Sequence, residues 1–243
     1  MRSFVAVDLE TTGLRPDRDE IIEIGALKYV DGVCVDTFSQ LVKPNKRISV
    51  RIKEITGIDN EMVADAPKIE TVLPAFVSFV GDEGVLLGHN LRFDYSFLKT
   101  YCKMLGIAFQ MQGLDTLKLA RALLPDLEKK NLGMVSQYYG IVNPNAHRAF
   151  TDAKTTADVY WRMYENFHEE KSELFLPKEM IIKVKKIEPA TAKQKNYLLD
   201  LIKCHKIQGE TFFKEMDVEM ESLTKSQASK CIDRIILQYG RRW

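Results

Sequence analysis

The stretch Phe4-Val5-Ala6-Val7-Asp8-Leu9-Glu10-Thr11-Thr12-Gly13-Leu14 decides how the chain is read. Its first half is a compact run of β-branched and aromatic residues, the length of a buried strand rather than a helix. The run ends in two acids. Alternate residues of a strand face the same way, so Asp8 and Glu10 share one face. Burying two unpaired carboxylates there is costly. Hard divalent cations prefer oxygen ligands, which makes the pair the start of a Mg²⁺ or Mn²⁺ site; a strand end frayed into solvent is the plainer alternative.

Outward from this strand, residues 15–19 have turn composition. Residues 21–30 and 33–42 then read as two strands joined by the hairpin signal Asp31-Gly32, giving a three-stranded antiparallel meander. From Pro67 the apolar spacing becomes helical, with Val72, Phe76 and Phe79 or Val80 on one face, and residues 84–88 form another short apolar strand. Amphipathic helices are predicted over 94–105, 115–124, 132–139 and 151–167. Antiparallel strands followed by α/β alternation predict one mixed sheet with helices against its faces.

Two further clusters carry chemistry. Gly88-His89-Asn90-Leu91-Arg92-Phe93-Asp94 runs from the C-terminal end of a strand into a helix, where open α/β sheets place their ligand sites. Asp94 also suits the first turn of a helix, and His89 a structural, hydrogen-bonded imidazole. His147-Arg148-Ala149-Phe150-Thr151-Asp152 leads into the long helix, where Asp152 can equally be a helix-start acid and His147 a solvated loop residue. Each plain reading suffices alone. The ordered set, Asp-x-Glu on a strand, Asp after a later strand, then His with Asp five residues on, is far more specific.

That set resembles the DEDDh (DnaQ-like) 3′–5′ exonuclease family, whose proofreading members include the epsilon subunit and the exonuclease domain of bacterial DNA polymerase III. Ile22-Glu23-Ile24-Gly25-Ala26, Ile55-Thr56-Gly57-Ile58, and Asp115-Thr116-Leu117 through Leu119-Ala120-Arg121 and Pro125 agree as well. The likeness covers about residues 1–170. Thr56 stands where epsilon-type members often carry His, so a nucleotide contact from that side chain is not carried over.

The resemblance implies a ribonuclease-H-like α/β fold with a mixed five-stranded sheet flanked by helices. It also implies hydrolysis of the terminal phosphodiester by two divalent cations, Mg²⁺ or Mn²⁺, releasing nucleoside 5′-monophosphates from a 3′ end. Asp8 would bridge both ions, Glu10 and Asp152 would complete the site of the ion that activates water, and Asp94 would act directly or through water. His147 would be the general base, since an imidazole can take a proton near neutral pH without remaining a permanent cation. Leu9, Thr11, Gly13, Leu14, Asn90 and Phe93 are the family-matched contacts to the 3′-terminal nucleotide, with core packing the alternative for Phe93. Single-stranded DNA is the favoured substrate, either in proofreading as the partner of a DNA polymerase or in DNA trimming as a free nuclease. RNA 3′ processing, or a non-catalytic adaptor retaining the fold, is the alternative.

Composition agrees with a globular chain: 243 residues, 45% hydrophobic and 28% charged, with no apolar stretch near the roughly 18 residues of a membrane span. No secretory cleavage pattern follows the first strand, so a cytoplasmic location is expected. The four cysteines are far apart and read as free, mostly buried thiols. The net charge of +1 hides an asymmetry: residues 1–177 hold 21 basic against 25 acidic side chains (−4), and residues 178–243 hold 14 against 9 (+5).

The expected division is an exonuclease domain over 1–172, a linker over 173–190 and a small basic helical module over 191–243. Two helices open the module with capping-box patterns at Thr191 and Thr224, arranged as a hairpin or a weak duplication. Its Lys193, Lys195, Lys203, Lys206, Arg241 and Arg242 suggest a tether to nucleic acid, a solvated helical surface being the plainer account. Residues 171–175 faintly resemble a sliding-clamp-binding peptide but lack its initial Gln and following Leu, so an apolar anchor is the preferred reading.

Overall fold

The computed structural model describes residues 1–81, 84–143, 147–184, 188–216, 218, 220 and 223–241. By compactness these fall into two units, Met1–Val184 and Lys185–Trp243. In the first unit β1 (Phe4–Thr11), β2 (Ile21–Val30) and β3 (Val33–Leu41) form the antiparallel meander. Then follow α1 (Val50–Thr56), α2 (Ile69–Val80), β4 (Val85–Gly88), α3 (Arg92–Met104), β5 (Gln112–Asp115), α4 (Thr116–Leu123), α5 (Leu132–Tyr138), α6 (Ala149–Phe167) and β6 (Lys178–Glu179). The sheet order is β3-β2-β1-β4-β5-β6, with β1, β4 and β5 mutually parallel and β6 antiparallel at the edge.

Two-residue alternation along β1 divides the core. Val5, Val7 and Leu9 join the cluster made with α2 and α3, including Phe76, Tyr95, Phe97 and Leu98. Phe4 and Ala6 join the opposite cluster with Ala153, Ala157, Tyr160 and Met163 of α6. Asp8 and Glu10 continue the second set, so the face they share is the one that α6 covers. The small side chains of Ala149, Ala153 and Ala157 are fully buried and let α6 lie close on β1 and β2.

Several elements went unread in the sequence. β5 is a four-residue strand, Gln-Gly-Leu-Asp, too short for alternation to register. β6 adds a sixth, edge strand of two residues to the five expected. Helix α1 is capped by Ser49, whose side chain accepts from Ile52 N, and ends at Gly57 with φ 70°. The expected linker also divides: Phe175 is fully buried against Tyr160 and Tyr164, and Met180 and Ile182 pack on the first cluster, so residues 173–184 belong to the first unit. Apolar burial outweighs the charged composition that suggested a connector. Two of the four free thiols, Cys34 and Cys204, are exposed, against the expectation of mostly buried ones.

The second unit contains α7 (Ala192–Cys204), α8 (Gly209–Glu215) and α9 (Lys225–Tyr239), one helix more than expected. Both capping boxes form. The segments ahead of them pair through Ala190 N to Leu223 O (2.7 Å) and Lys225 N to Glu188 O (2.8 Å). The core is built from Leu198, Leu201, Ile202, Phe212, Leu223, Ala228, Cys231 and Ile235. No helix among the described residues is long and apolar enough to cross a membrane.

Candidate active site

The C-terminal end of β1, beside the parallel strand β4, is where the acids gather. Asp94, in the first turn of α3, is 3% exposed, and its Oδ1 accepts a hydrogen bond from Leu9 N at 3.1 Å, which ties the helix to the strand between Asp8 and Glu10. Asp152, in the first turn of α6, accepts from His147 N at 2.9 Å and from Asn143 Nδ2 at 2.5 Å. Glu10, His147 and Asp152 each place one ligand atom within 4.8 Å of the others. His147 is exposed, with φ 67°, a left-handed turn that a hydrogen bond to Asp152 holds in place.

Burial and mutual repulsion act on these acids in one direction. Burial pushes Asp8 well above the usual carboxylate range, and Asp94, Glu10 and Asp152 add to it. Glu10 is raised to about 8 by burial, then by Asp152, Glu23 and Asp94, with Arg148 alone opposing. Asp94 is raised to about 8 by burial against the pull of its backbone hydrogen bonds. Four carboxylates facing one another with so little positive charge nearby form a donor set suited to hard divalent cations. The residues therefore fit a metal centre.

The approach of α6 depends on residues whose role the sequence reading had not singled out. Glu23, opposite Glu10 in the β1–β2 register, is 2% exposed. It accepts from Arg148 Nη2 at 2.7 Å, from Arg148 Nε at 3.2 Å and from Ala149 N at 3.0 Å, clamping the start of α6 to β2. A lone acid inside the apolar run of β2 was the available signal. Gly25, opposite Asp8, leaves room for the helix backbone. Asn143 carried no signal at all.

The loop after β1 is internally braced. Thr11 Oγ1 donates to Gly13 O at 2.6 Å, Thr12 N to Glu20 O at 2.8 Å, and Arg15 N to Asp19 Oδ2 at 2.8 Å. Leu14 stands at its tip, 81% exposed. On the β4 side, Asn90 is exposed with φ 69°, its N–H donating to Asp115 Oδ1 at 2.9 Å. Phe93 is half-buried, packed on Phe97 at 5.1 Å between ring centroids. Thr56 is turned inward, donating to Ile52 O and accepting from Ile58 N.

The profile of the exonuclease family (RNase_T) matches residues 5–160. The chain belongs to the exonuclease family. It is 45% identical over 166 residues to the PolC-type DNA polymerase III of Caldanaerobacter subterraneus, covering 68% of this chain but only 12% of that relative. It is 39% identical over 164 residues to the DNA polymerase III epsilon subunit of Aquifex aeolicus, covering 67% of this chain and 81% of that one. Among solved structures, Exonuclease X in complex with 5′ overhanging duplex DNA matches with a TM-score of 0.56 and 28% identity, over 70% of this chain and 98% of the other. The E. coli ExoI–ssDNA complex shares the fold at a TM-score of 0.65 and 20% identity, over 72% and 43%. The exonuclease unit is thus a ribonuclease-H-like α/β fold.

Proposed function

We propose that the chain is a metal-dependent 3′–5′ exonuclease that hydrolyses the terminal phosphodiester of single-stranded DNA and releases nucleoside 5′-monophosphates. The observation carrying this reading is the meeting of Asp8, Glu10, Asp94 and Asp152, from three elements, at one end of β1 beside His147. The four carboxylates would hold two divalent cations, Mg²⁺ or Mn²⁺, which when bound polarise the scissile phosphate, lower the pKa of the attacking water and stabilise the leaving oxygen.

The protein's own groups do the rest. His147, exposed at the mouth of the site and held through its backbone by Asp152, accepts the proton of the attacking water at its imidazole. The Thr11 hydroxyl gives its hydrogen to Gly13 O, which leaves its oxygen to act toward the terminal sugar as an acceptor only. The backbone of Leu9 to Gly13, with Asn90, orients that nucleotide. Phe93 and the exposed Leu14 offer apolar surface to its bases. DNA is favoured because the relatives at 39–45% identity are DNA polymerase III components, and a DNA polymerase is the corresponding partner. The basic second unit serves as a tether to nucleic acid.

The test is incubation of the purified chain with 5′-labelled single-stranded DNA and RNA of matched sequence in Mg²⁺ or Mn²⁺, with chelator and Asp8→Ala controls. A metal-dependent ladder shortening from the DNA 3′ end is the expected result. Preferential shortening of RNA moves the substrate to RNA, and no shortening of either strand favours a non-catalytic adaptor.

A further inference from the structure

A second cleft opens beside the proposed nucleotide site. It measures about 550 Å³ and is lined by Asn90, Arg121, Glu128, Lys130 and Asn131, with His89 at its base. Asn90 belongs to both places, so a strand whose terminal nucleotide rests on Asn90 has this cleft as a neighbour.

The cleft is rich in donors. Arg121 lies on the exposed side of α4, and no hydrogen bond or ion pair engages its guanidinium among the described residues. The Lys130 ammonium donates to Leu127 O and lies 3.5 Å from Pro125 O, which fixes its position at the rim. Asn131 spends its side-chain oxygen capping α5 through Met134 N at 2.9 Å, so its amide nitrogen remains available as a donor. Glu128 is the one carboxylate among the lining residues and is exposed, and Asp115 stands behind them with its Oδ1 accepting from Asn90 N at 2.9 Å.

Besides the packing of Leu127 on the core, one polar side chain ties the loop carrying these groups to the end of β4. His89 Nε2 lies 2.8 Å from Lys130 O, and Nδ1 lies 2.9 Å from Thr116 Oγ1. A carbonyl only accepts, so Nε2 carries the hydrogen. Burial lowers the pKa of this ring and favours its neutral form, leaving Nδ1 as an acceptor, and the single Thr116 hydroxyl hydrogen is shared between Nδ1 and Gly88 O, 3.2 Å away. His89 therefore spans from β4 to the 125–131 loop and sets the distance between Asn90 and Lys130. Planar guanidinium and amide donors on a fixed frame, opposed by one exposed acid, match phosphodiester oxygens.

We infer that this cleft is a subsite for the phosphates upstream of the scissile bond, with Arg121 its principal contact and His89 a positioning residue for the loop. The inference rests on the proposed exonuclease reading, because it takes the occupant to be the body of the same strand.

The experiment compares the full chain with its Arg121→Gln variant in two assays. In the first, binding of 5′-fluorescein oligothymidylates is followed by anisotropy in chelator across a salt series. Loss of one phosphate contact on a single strand makes the slope of log K against log salt shallower by about 0.7. In the second, hydrolysis of thymidine 5′-(p-nitrophenyl phosphate), which has no upstream nucleotide, is measured beside hydrolysis of a dinucleotide and a decanucleotide. The variant should cleave the ester at the wild-type rate and lose several-fold in kcat/KM on the decanucleotide alone. An unchanged salt slope together with equal losses on all three substrates overturns the subsite. A shallower slope in a chain that hydrolyses none of them retains the subsite and overturns the exonuclease reading instead.

Discussion

Gly25 lies directly beneath Phe150: a β-carbon at Gly25 would stand 2.1 Å from the Phe150 backbone nitrogen and 2.2 Å from the Ala149 carbonyl carbon. Because both obstacles are backbone, no rotamer change relieves them. The close approach is what lets the first turn of α6 deliver Asp152 to the face of Asp8 and Glu10.

Gly25→Ala should therefore push the start of α6 away from the sheet. The expected stability loss is about 1–3 kcal/mol, as for other overpacked cores. Displacing Asp152 by even about 1 Å should cost roughly 10²-fold in turnover. Chemical denaturation and steady-state kinetics on the same preparation check both, and a folded variant with wild-type turnover would show that the contact does not set the site.

The Glu23–Arg148 clamp predicts a coupled pair. Arg148→Met leaves the buried Glu23 without its guanidinium, and the expected destabilisation is about 3 kcal/mol. Adding Glu23→Gln removes the stranded charge, so the double variant should be more stable than Arg148→Met alone. A double-mutant cycle by urea denaturation measures the coupling; strict additivity would mean that the clamp contributes nothing as a pair.

His147→Ala should lower turnover by about 10²–10⁴ while the chain stays folded, as expected for loss of a general base. The exposed side chain makes no hydrogen bond within the described residues, so its removal leaves the core intact. Circular dichroism and a pH–rate profile test this. Near-normal turnover by a folded variant would exclude the role.

The raised acids predict a pH-dependent response to metal. Asp8, Glu10 and Asp94 bind protons more tightly in the folded chain than their ordinary values of 3.8 to 4.5 allow. Their contribution to stability is therefore full below those values and is lost as pH rises toward about 8, where Glu10 and Asp94 titrate. In chelator, Asp8→Asn should melt higher than the native chain, and the gap should widen from pH 5 to pH 8. Mg²⁺ should raise the native melting temperature more at pH 8 than at pH 5, where protons compete for the same oxygens. Melting curves at three pH values suffice, and a metal-induced shift independent of pH would contradict the prediction.

Much of this was legible in local sequence. A compact apolar run gave β1 and the Asp31-Gly32 hairpin signal gave β2 and β3, and the acid pair at the end of β1 declared itself because carboxylates interrupt a buried strand. The N-cap chemistry of Thr191 and Thr224 announced α7 and α9. Four-residue β5 and the two-residue β6 were not legible, since such short strands exist only because a longer neighbour supplies their hydrogen bonds. Phe175 reads as an apolar anchor, but that it anchors on Tyr160 and Tyr164 is decided by packing.

The sequence by itself determined which residues are the candidates for the chemistry, because their types and their order along the chain are local facts: two acids two residues apart, an acid opening one helix, and a His five residues before an acid opening another. Tertiary structure alone decided that they meet. Asp94 reaches Leu9 across 85 positions and Glu23 holds Ala149 across 126, distances over which only sheet register, the gap at Gly25 and the packing of α6 can set a separation of a few ångströms.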